Sequence, residues 1–437
     1  MGANLLIRNA TIVTMDAVCR IIRNGCLSVT DGVINRMGEA GDFEGLRADR
    51  EIDAGGMILM PGLINTHCHS ADSLFRGLVE DLLLEPWLQK VWKAEAAILN
   101  ADTVRLGATL GMAELALGGV TTVMDMFWHP DQTVQAARDI GLRVSTGGIF
   151  FDGPGIDGLN HSDRMNAAED FFQSVSGQND VLPGTFPHGS YTVGPEHLKE
   201  AHGLAKAAGG LFCTHAAETR AEVADIQNRY GARVINHLDS LGVLDPRTVL
   251  AHCVWLDDDE IETLARTGVT VSHNPMSNLK LASGVARVPE MLEAGVCVTI
   301  GTDGAISGND LDMWMALRLA ATLHRGNTLS ASAVTTEQAL RMVTSEGAKA
   351  LGVSDRLGSL EVGKQADMIL VRVDRPHAVP MFDPMTHLVF STAKSDVSHV
   401  FVGGKMVVEN GELSEFDLTD TVAEVSGLAP DILRSIQ

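Results

Sequence analysis

The stretch Pro61-Gly62-Leu63-Ile64-Asn65-Thr66-His67-Cys68-His69 decides how this 437-residue chain is read. It opens as an apolar, strand-like run and ends in two histidines one residue apart. Side chains alternate faces along a strand, so His67 and His69 point the same way and Cys68 points the other. Two imidazoles on one face at a strand end can grip one metal ion from two sides. A His-x-His pair alone carries little weight, because most such pairs hold no metal. The rest of the chain has to supply the missing ligands.

From about residue 60 to about 355, apolar runs of strand length alternate with longer helical patterns. After Gly62–Thr66 the strand candidates are Val120–Met126, Leu142–Phe151, Thr185–Ser190, Leu211–His215, Thr248–Cys253, Val269–His273 and Cys297–Asp303. Between them lie helical spacings such as Asp102–Leu117 and Pro195–Ala208. Thr335-Thr336-Glu337-Gln338 reads as the start of a last helix through Ala339–Leu351. Eight strand-then-helix units predict an α/β fold, a (β/α)8 barrel of the TIM type. The flanks read as short strands. Asp31-Gly32 and Gly403-Gly404 are hairpin signals, and the tail from about 418 reads as a helix. Segments 1–59 and 357–437 are expected to build one small composite β-sandwich domain beside a barrel spanning 60–356.

The net charge of −23 makes nucleic acid or an anionic membrane an unsuitable partner, and a small neutral or cationic substrate a better one. The six cysteines form no Cys-x-x-Cys pair and suggest no disulfide framework. They read as small buried hydrophobes in a reducing compartment. The N-terminus shows no basic region followed by a long apolar one, and no apolar run reaches membrane-span length. The expected location is the cytoplasm.

Active sites of such barrels sit at the C-terminal ends of the strands. Of the 15 histidines, six fall at or near those ends: His67, His69, His188, His215, His252 and His273. Chance is a poor explanation, because each polar group there needs a partner. His67, His69, His215 and Asp303 supply three imidazoles and a carboxylate. That set suits one divalent ion, Zn²⁺ first and Fe²⁺ as the alternative. A bound ion lowers the pKa of its water from 15.7 to about 7 and so provides a hydroxide at neutral pH. Asp303 can take that water's proton, and Glu218 can carry a proton from nucleophile to leaving group. His252 can stabilise charge at the attacked atom. His188 by itself can also be read as a core histidine, and Glu218 as a helix-start residue facing the dipole. His161, His202, His237 and His324 lack strand-end context and read as packing or surface residues.

These residues resemble the amidohydrolase superfamily. Pro-Gly-Leu-Ile-Asn-Thr-His-Cys-His, Thr-His-Ala-Ala-Glu, Leu-Ala-His-Cys, Val-Ser-His-Asn-Pro and Gly-Thr-Asp-Gly occur in that family's order. Gly358-Ser359-Leu360-Glu361-Val362-Gly363-Lys364-Gln365-Ala366-Asp367 resembles its composite β-domain. The nearest branch holds cytosine deaminase-like, triazine-hydrolase and methylthioadenosine/S-adenosylhomocysteine deaminase proteins. The resemblance implies His67, His69, His215 and Asp303 as metal ligands, Glu218 as proton shuttle and His252 beside the nucleophile. It implies Glu95 and His188 as contacts to the substrate ring, and a homodimer. Strand four has no lysine to carboxylate, so a single-metal site is expected. Strand three carries no arginine at Val144-Ser145-Thr146-Gly147-Gly148, which counts against a substrate bearing an amino-acid carboxylate. Gly153–His161 is a Gly-rich insertion near the pocket mouth.

The expected activity is therefore that of a metal-dependent aminohydrolase. It would release ammonia from an exocyclic amine of a purine, pterin, pyrimidine or triazine ring. One alternative is hydrolytic loss of chloride or an alkylamine from a triazine-like ring. The other is a non-catalytic scaffold, against which the complete ligand set argues.

Overall fold

The computed structural model describes residues 3–153 and 155–437. Met1 and Gly2, at the head of the expected first β segment, and Pro154 of the Gly-rich insertion lie outside the described residues. Eight strands form the barrel: Leu63–His69, Val120–Asp125, Arg143–Phe150, Val181–Pro187, Leu211–Ala216, Thr248–His252, Thr270–His273 and Cys297–Ile300. Each pairs in parallel with the next in chain order. Strands two and five to eight are buried along their whole length. This is why they read as continuous apolar runs rather than as alternating patterns. The ring closes through Asp303–Gly304, two residues that pair with Cys68 and His69 of strand one. Inside the barrel, Thr66 Oγ1 lies 2.9 Å from Ser272 Oγ and 2.7 Å from Thr299 Oγ1. It also donates to the Ile300 carbonyl at 3.1 Å, so one hydroxyl ties strand one to strands seven and eight.

The helices end where their sequences say they should. Asn100 caps Ala101–Leu117 in a capping box with Thr103. Pro195 opens Pro195–Ala208 and Gly209, at φ +68°, closes it. Thr335 and Gln338 form the expected capping box. The single helix expected after it is two, Thr336–Met342 and Ser345–Ala350, because Thr344 leaves helical geometry at φ −135°, ψ −95°. Strand four also differs from expectation. It runs Val181–Pro187, so His188 lies just past its end rather than within it.

Strand three meets strand four without side chains in between. A Cβ on Gly147 would lie 2.0 Å from the Gly184 carbonyl oxygen, a backbone atom that cannot swing aside. Gly147→Ala is expected to destabilise the fold by about 1–3 kcal/mol or more, read as a lowered denaturation midpoint. An unchanged midpoint would contradict this close approach.

The chain ends build a second sheet. Five strands between residues 3 and 61 join four between 368 and 413 in one nine-stranded mixed sheet. It has a core of its own, including Leu5, Ile7, Leu27, Leu59, Leu370 and Phe401. The Asp31-Gly32 turn, with both φ values positive, joins Ile21–Thr30 to Val33–Glu39. Gly403-Gly404 does the same between Val397–Val402 and Lys405–Glu409. Buried Arg143 of barrel strand three grips Asp367 of this domain, Nε to Oδ2 at 2.8 Å and a second nitrogen to Oδ1 at 3.1 Å. The tail helix is Thr419–Ser435. No helix among the described residues is long and apolar enough to cross a membrane.

Candidate active site

Strand ends deliver the polar groups, and several do so by leaving ordinary backbone geometry. Ala217, His252, Cys253 and Asp303 have φ values of 50°, 74°, 47° and 61°, in the left-handed region. Residues other than glycine pay for that conformation, and it recurs where a side chain must be aimed. The bends fall at the ends of strands five and six and just past strand eight, where the site residues stand.

His67, His69, His215 and Asp303 converge. His215 Nε2 lies 3.2 Å from His67 Nε2 and 3.4 Å from His69 Nε2. Asp303 Oδ1 lies 3.4 Å from His67 Nε2 and 3.2 Å from His69 Nε2. Ligands bound at 2.0–2.1 Å on a tetrahedron stand about 3.3–3.4 Å apart, which is this spacing. The protons are disposed to match. His69 Nδ1 donates to the Met126 carbonyl at 2.6 Å, and His215 Nδ1 to the His188 carbonyl at 2.5 Å. Their Nε2 atoms are therefore turned to one point beside Asp303 Oδ1, where a proton or a metal cation can lie between them.

The electrostatics ask for the same charge. Burial pulls the His67 imidazole down to about 4 and holds His215 well below its ordinary value. Burial also pulls on His69, but the hydrogen bond and charge of Asp303 overcome it and raise its pKa to about 10. Burial works against ionised Asp303 as well. The hydrogen bonds from His67 and His69 outweigh it and keep that carboxyl well below the usual range. Ser277 and Ser307 donate to Asp303 Oδ2 at 2.6 and 2.9 Å, leaving Oδ1 toward the histidines. A divalent ion fits this donor set.

Glu218 lies beside the cluster, 3 % exposed, on the turn after strand five. Ser283 Oγ donates to its Oε1 at 3.2 Å, and Oε2 lies 3.7 Å from His252 Nε2. Burial raises its pKa above the usual carboxylate value, so it holds a proton more readily than a surface glutamate does. His252 is oriented from behind, its Nδ1 lying 2.8 Å from Asn278 Oδ1. The Glu218 turn is pinned by Glu222, which accepts the backbone N–H groups of Ala217 at 3.1 Å and Glu218 at 2.7 Å.

Burial lifts the Glu222 carboxyl from 4.5 to about 7. Folded Glu222 thus binds its proton more tightly than the unfolded chain does. The stability this adds is fully present below pH 4.5 and is lost as pH rises through about 7. Glu222→Gln cannot titrate. Its melting temperature is expected to rise relative to the parent protein across that window and to hold a constant difference above it. A difference that stays flat from acid to neutral pH would refute the assignment.

A cavity opens over the cluster. His69, His215, Asp303, Glu218 and His252 form its floor, and both remaining candidates line it. His188 packs among Trp92, Phe151 and Tyr191, with ring centroids 5.9, 5.6 and 5.4 Å away. Its Nδ1 lies 2.9 Å from Thr192 Oγ1, and burial lowers its pKa to about 3, so the ring is neutral. Burial raises Glu95 to about 7, against the pull of the His69 charge. The Gly-rich insertion reaches this wall through Asp157, which holds Arg164 at 2.7 Å, and the Arg164 guanidinium lies 5.2 Å from the Trp128 ring. His161, His202, His237 and His324 stand outside the cavity. The sequence reading missed Ser277, Asn278, Ser283, Ser307 and Asp72. The first two lie just past the Val-Ser-His-Asn-Pro run, where nearness to that motif was the only signal.

An eight-stranded barrel with this polar floor defines a class of metal-dependent hydrolases. The family model described as "Amidohydrolase family" matches residues 58–407, and the chain belongs to that family. It is 38% identical to a 5-methylthioadenosine/S-adenosylhomocysteine deaminase of Syntrophobacter fumaroxidans over 98% of each chain. It is 38% identical to a 5'-deoxyadenosine deaminase of Methanosarcina mazei over 99% of each. Among solved structures, an adenosine deaminase of Xanthomonas campestris with bound zinc superposes with a TM-score of 0.96. That pair shares 32% identity over 99% of both chains.

Proposed function

We propose that this chain is a metal-dependent deaminase that hydrolyses the exocyclic amine of an adenine-type nucleoside and releases ammonia. The observation that carries the proposal is the convergence of three imidazoles and a carboxylate at tetrahedral-edge spacing beside a buried glutamate. His67, His69, His215 and Asp303 would hold one zinc ion, and the ion when bound supplies an acidified water as the nucleophile. Glu218 holds a proton on Oε2 and delivers it to the ring nitrogen next to the attacked carbon. It then takes the proton of the hydroxyl added at that carbon and passes it to the departing amine, so that ammonia leaves and the oxo group remains. Ser283 fixes the Glu218 carboxyl, and Asn278 fixes the His252 ring. His252 Nε2 faces the attacked centre and stabilises the charge that develops there. Glu95 and His188 contact the substrate from the cavity wall. The walls of Trp87, Trp92, Phe127 and Phe151 stack on a flat ring and keep bulk water out.

The relatives' names favour a nucleoside over a free base, and the zinc-bound structural relative favours zinc over iron. No lysine or arginine lines the cavity among the described residues, which favours nucleosides without a carboxylate. The reading also includes a barrel over 60–356, a homodimer and a cytoplasmic location. Light scattering and cell fractionation check the last two. The deciding experiment is ammonia release by zinc-loaded protein from adenosine, 5'-deoxyadenosine, methylthioadenosine, cytosine, a pterin and melamine. Release from the adenine nucleosides at the highest kcat/KM is expected. Preferential turnover of cytosine, the pterin or melamine would overturn the nucleoside assignment.

A further inference from the structure

Glu218 has two carboxyl oxygens, and the protein occupies one of them. Ser283 Oγ donates to Oε1 at 3.2 Å, which leaves the proton of the acid to Oε2, on the side of His252. Without that donor the carboxyl can turn and spread its proton over both oxygens. The place of Ser283 therefore sets the aim of Glu218. Ordinary backbone geometry does not supply that place. Ala282 before it has φ 54° and Gly284 after it φ +131°, both in the region that favours glycine. Such a backbone persists where its surroundings fix it.

Trp255, on the loop after strand six, does the fixing. Its indole Nε1–H donates to the Ser283 carbonyl at 2.6 Å, while the Ser283 N–H goes to the Asn278 carbonyl at 2.9 Å. Gly284 leaves room for the indole, since a Cβ there would stand 3.0 Å from Trp255 Cζ2. The Arg220 guanidinium lies 4.0 Å from the centre of the indole ring and holds it by a cation–π contact. The backbone of Trp255 is tied to the other end of Glu218. Its N–H donates to the Ala217 carbonyl at 2.9 Å, and its carbonyl accepts from Arg233 at 2.7 Å. Buried Glu260 in turn accepts from Arg233 at 2.8 Å. One residue thus contacts both the neighbour of Glu218 in the chain and the serine on its carboxyl. Trp255 itself does not line the substrate cavity.

We infer that Trp255 is a positioning residue for proton transfer, acting through Ser283 to keep Oε1 of Glu218 occupied and Oε2 free for the substrate. This rests on Glu218 being the proton carrier of the proposed deaminase, and it adds to that machinery a residue that touches no substrate. Loss of the indole N–H lets residues 282–284 shift, and the Ser283 hydroxyl moves with them. Proton transfer then waits for the carboxyl to regain its orientation. Substrate binding uses the cavity wall and stays as it was.

Trp255→Phe keeps a ring against Arg220 and removes only the donor, and Trp255→Leu is the second variant should it fold poorly. Ammonia release from adenosine by zinc-loaded protein should show kcat lowered about 2–10-fold, the worth of one neutral hydrogen bond, with KM within about 2-fold of the parent. Ser283→Ala should lower kcat at least as far, and adding Trp255→Phe to it should cause no further loss. The residual rate of Glu218→Gln should also be indifferent to Trp255→Phe. Damage to the fold alone would lower the rate in every background. Losses that multiply in either double variant, or an unchanged kcat in Trp255→Phe, overturn the inference. A readout without turnover is the indole N–H resonance of isotope-labelled tryptophan, assigned by its absence from the Trp255 variant. The Trp255 signal should shift in Glu218→Gln, and that shift should vanish when Ser283→Ala is also present. A signal blind to Glu218→Gln overturns the inference as well. The coupled shift with no ammonia from any adenine nucleoside supports the brace and overturns the deaminase reading.

Discussion

Glu218→Gln is expected to lower kcat by about 10²–10⁴-fold while the protein keeps its metal. Glutamine has the same shape, so its amide oxygen can still accept from Ser283 Oγ, now 3.2 Å from Glu218 Oε1. What it loses is the ability to give up and regain a proton. Glu218 suits that task because burial raises its pKa toward neutrality. It therefore releases and recovers a proton at smaller cost than a surface carboxylate does. Metal content by elemental analysis and kcat by ammonia release separate the two effects. A variant with full turnover would remove Glu218 from the mechanism. A variant that lost its metal would make Glu218 a support of the ion site instead.

Stripping the metal is expected to abolish turnover and leave the fold in place. The rings of His69 and His215 are held by the Met126 and His188 carbonyls, bonds that do not need the ion. Without a cation, Asp303 keeps a proton on His69, which the raised His69 pKa records. Added zinc must displace that proton, so reloading should release acid and weaken as pH falls below about 10. Zinc present at 100 times its dissociation constant would add about 2.7 kcal/mol of stability, visible as a higher melting temperature. His215→Ala removes one of the converging lone pairs and should eliminate both the zinc-dependent melting shift and the activity. If the stripped protein hydrolysed its substrate at the original rate, the cluster would not be a catalytic metal site.

The barrel was legible because its strands are buried on both faces, which writes them into the chain as apolar runs ending in polar residues. His67, His69 and His215 could be placed by strand register alone. Asp303 was read as the last residue of strand eight, which ends instead at Ile300. It stands on a two-residue strand that crosses to Cys68 and His69, past the end of strand eight. His188 was placed inside a strand that Pro187 already ends, because nothing local says where pairing stops. Asn278, Ser283 and Asp72 escaped for another reason. Each matters through a partner or cavity supplied by a distant segment, as Ser283 does for Glu218 and Asn278 for His252. Sequence periodicity carries the face a residue occupies, and it does not carry the far side of a contact between loops. The break at Thr344 is of this kind too, since the helical apolar pattern runs through it unbroken.

The sheet built from both chain ends sets a timetable for the newborn protein. Ile58–Pro61, buried throughout, pairs residue for residue with Met368–Val371, so that Met60 faces Ile369 and Leu59 faces Leu370. At ribosomal speeds of about 5–20 residues per second, the first partner waits roughly 15–60 s for the second. During that time an apolar strand has an open hydrogen-bonding edge, the kind of surface that recruits other chains. The barrel, complete by then in sequence, can close first and hold the early strands in position. Loss of the last 70 residues would leave that edge permanently bare. Such a truncation should aggregate rather than merely lose a peripheral domain.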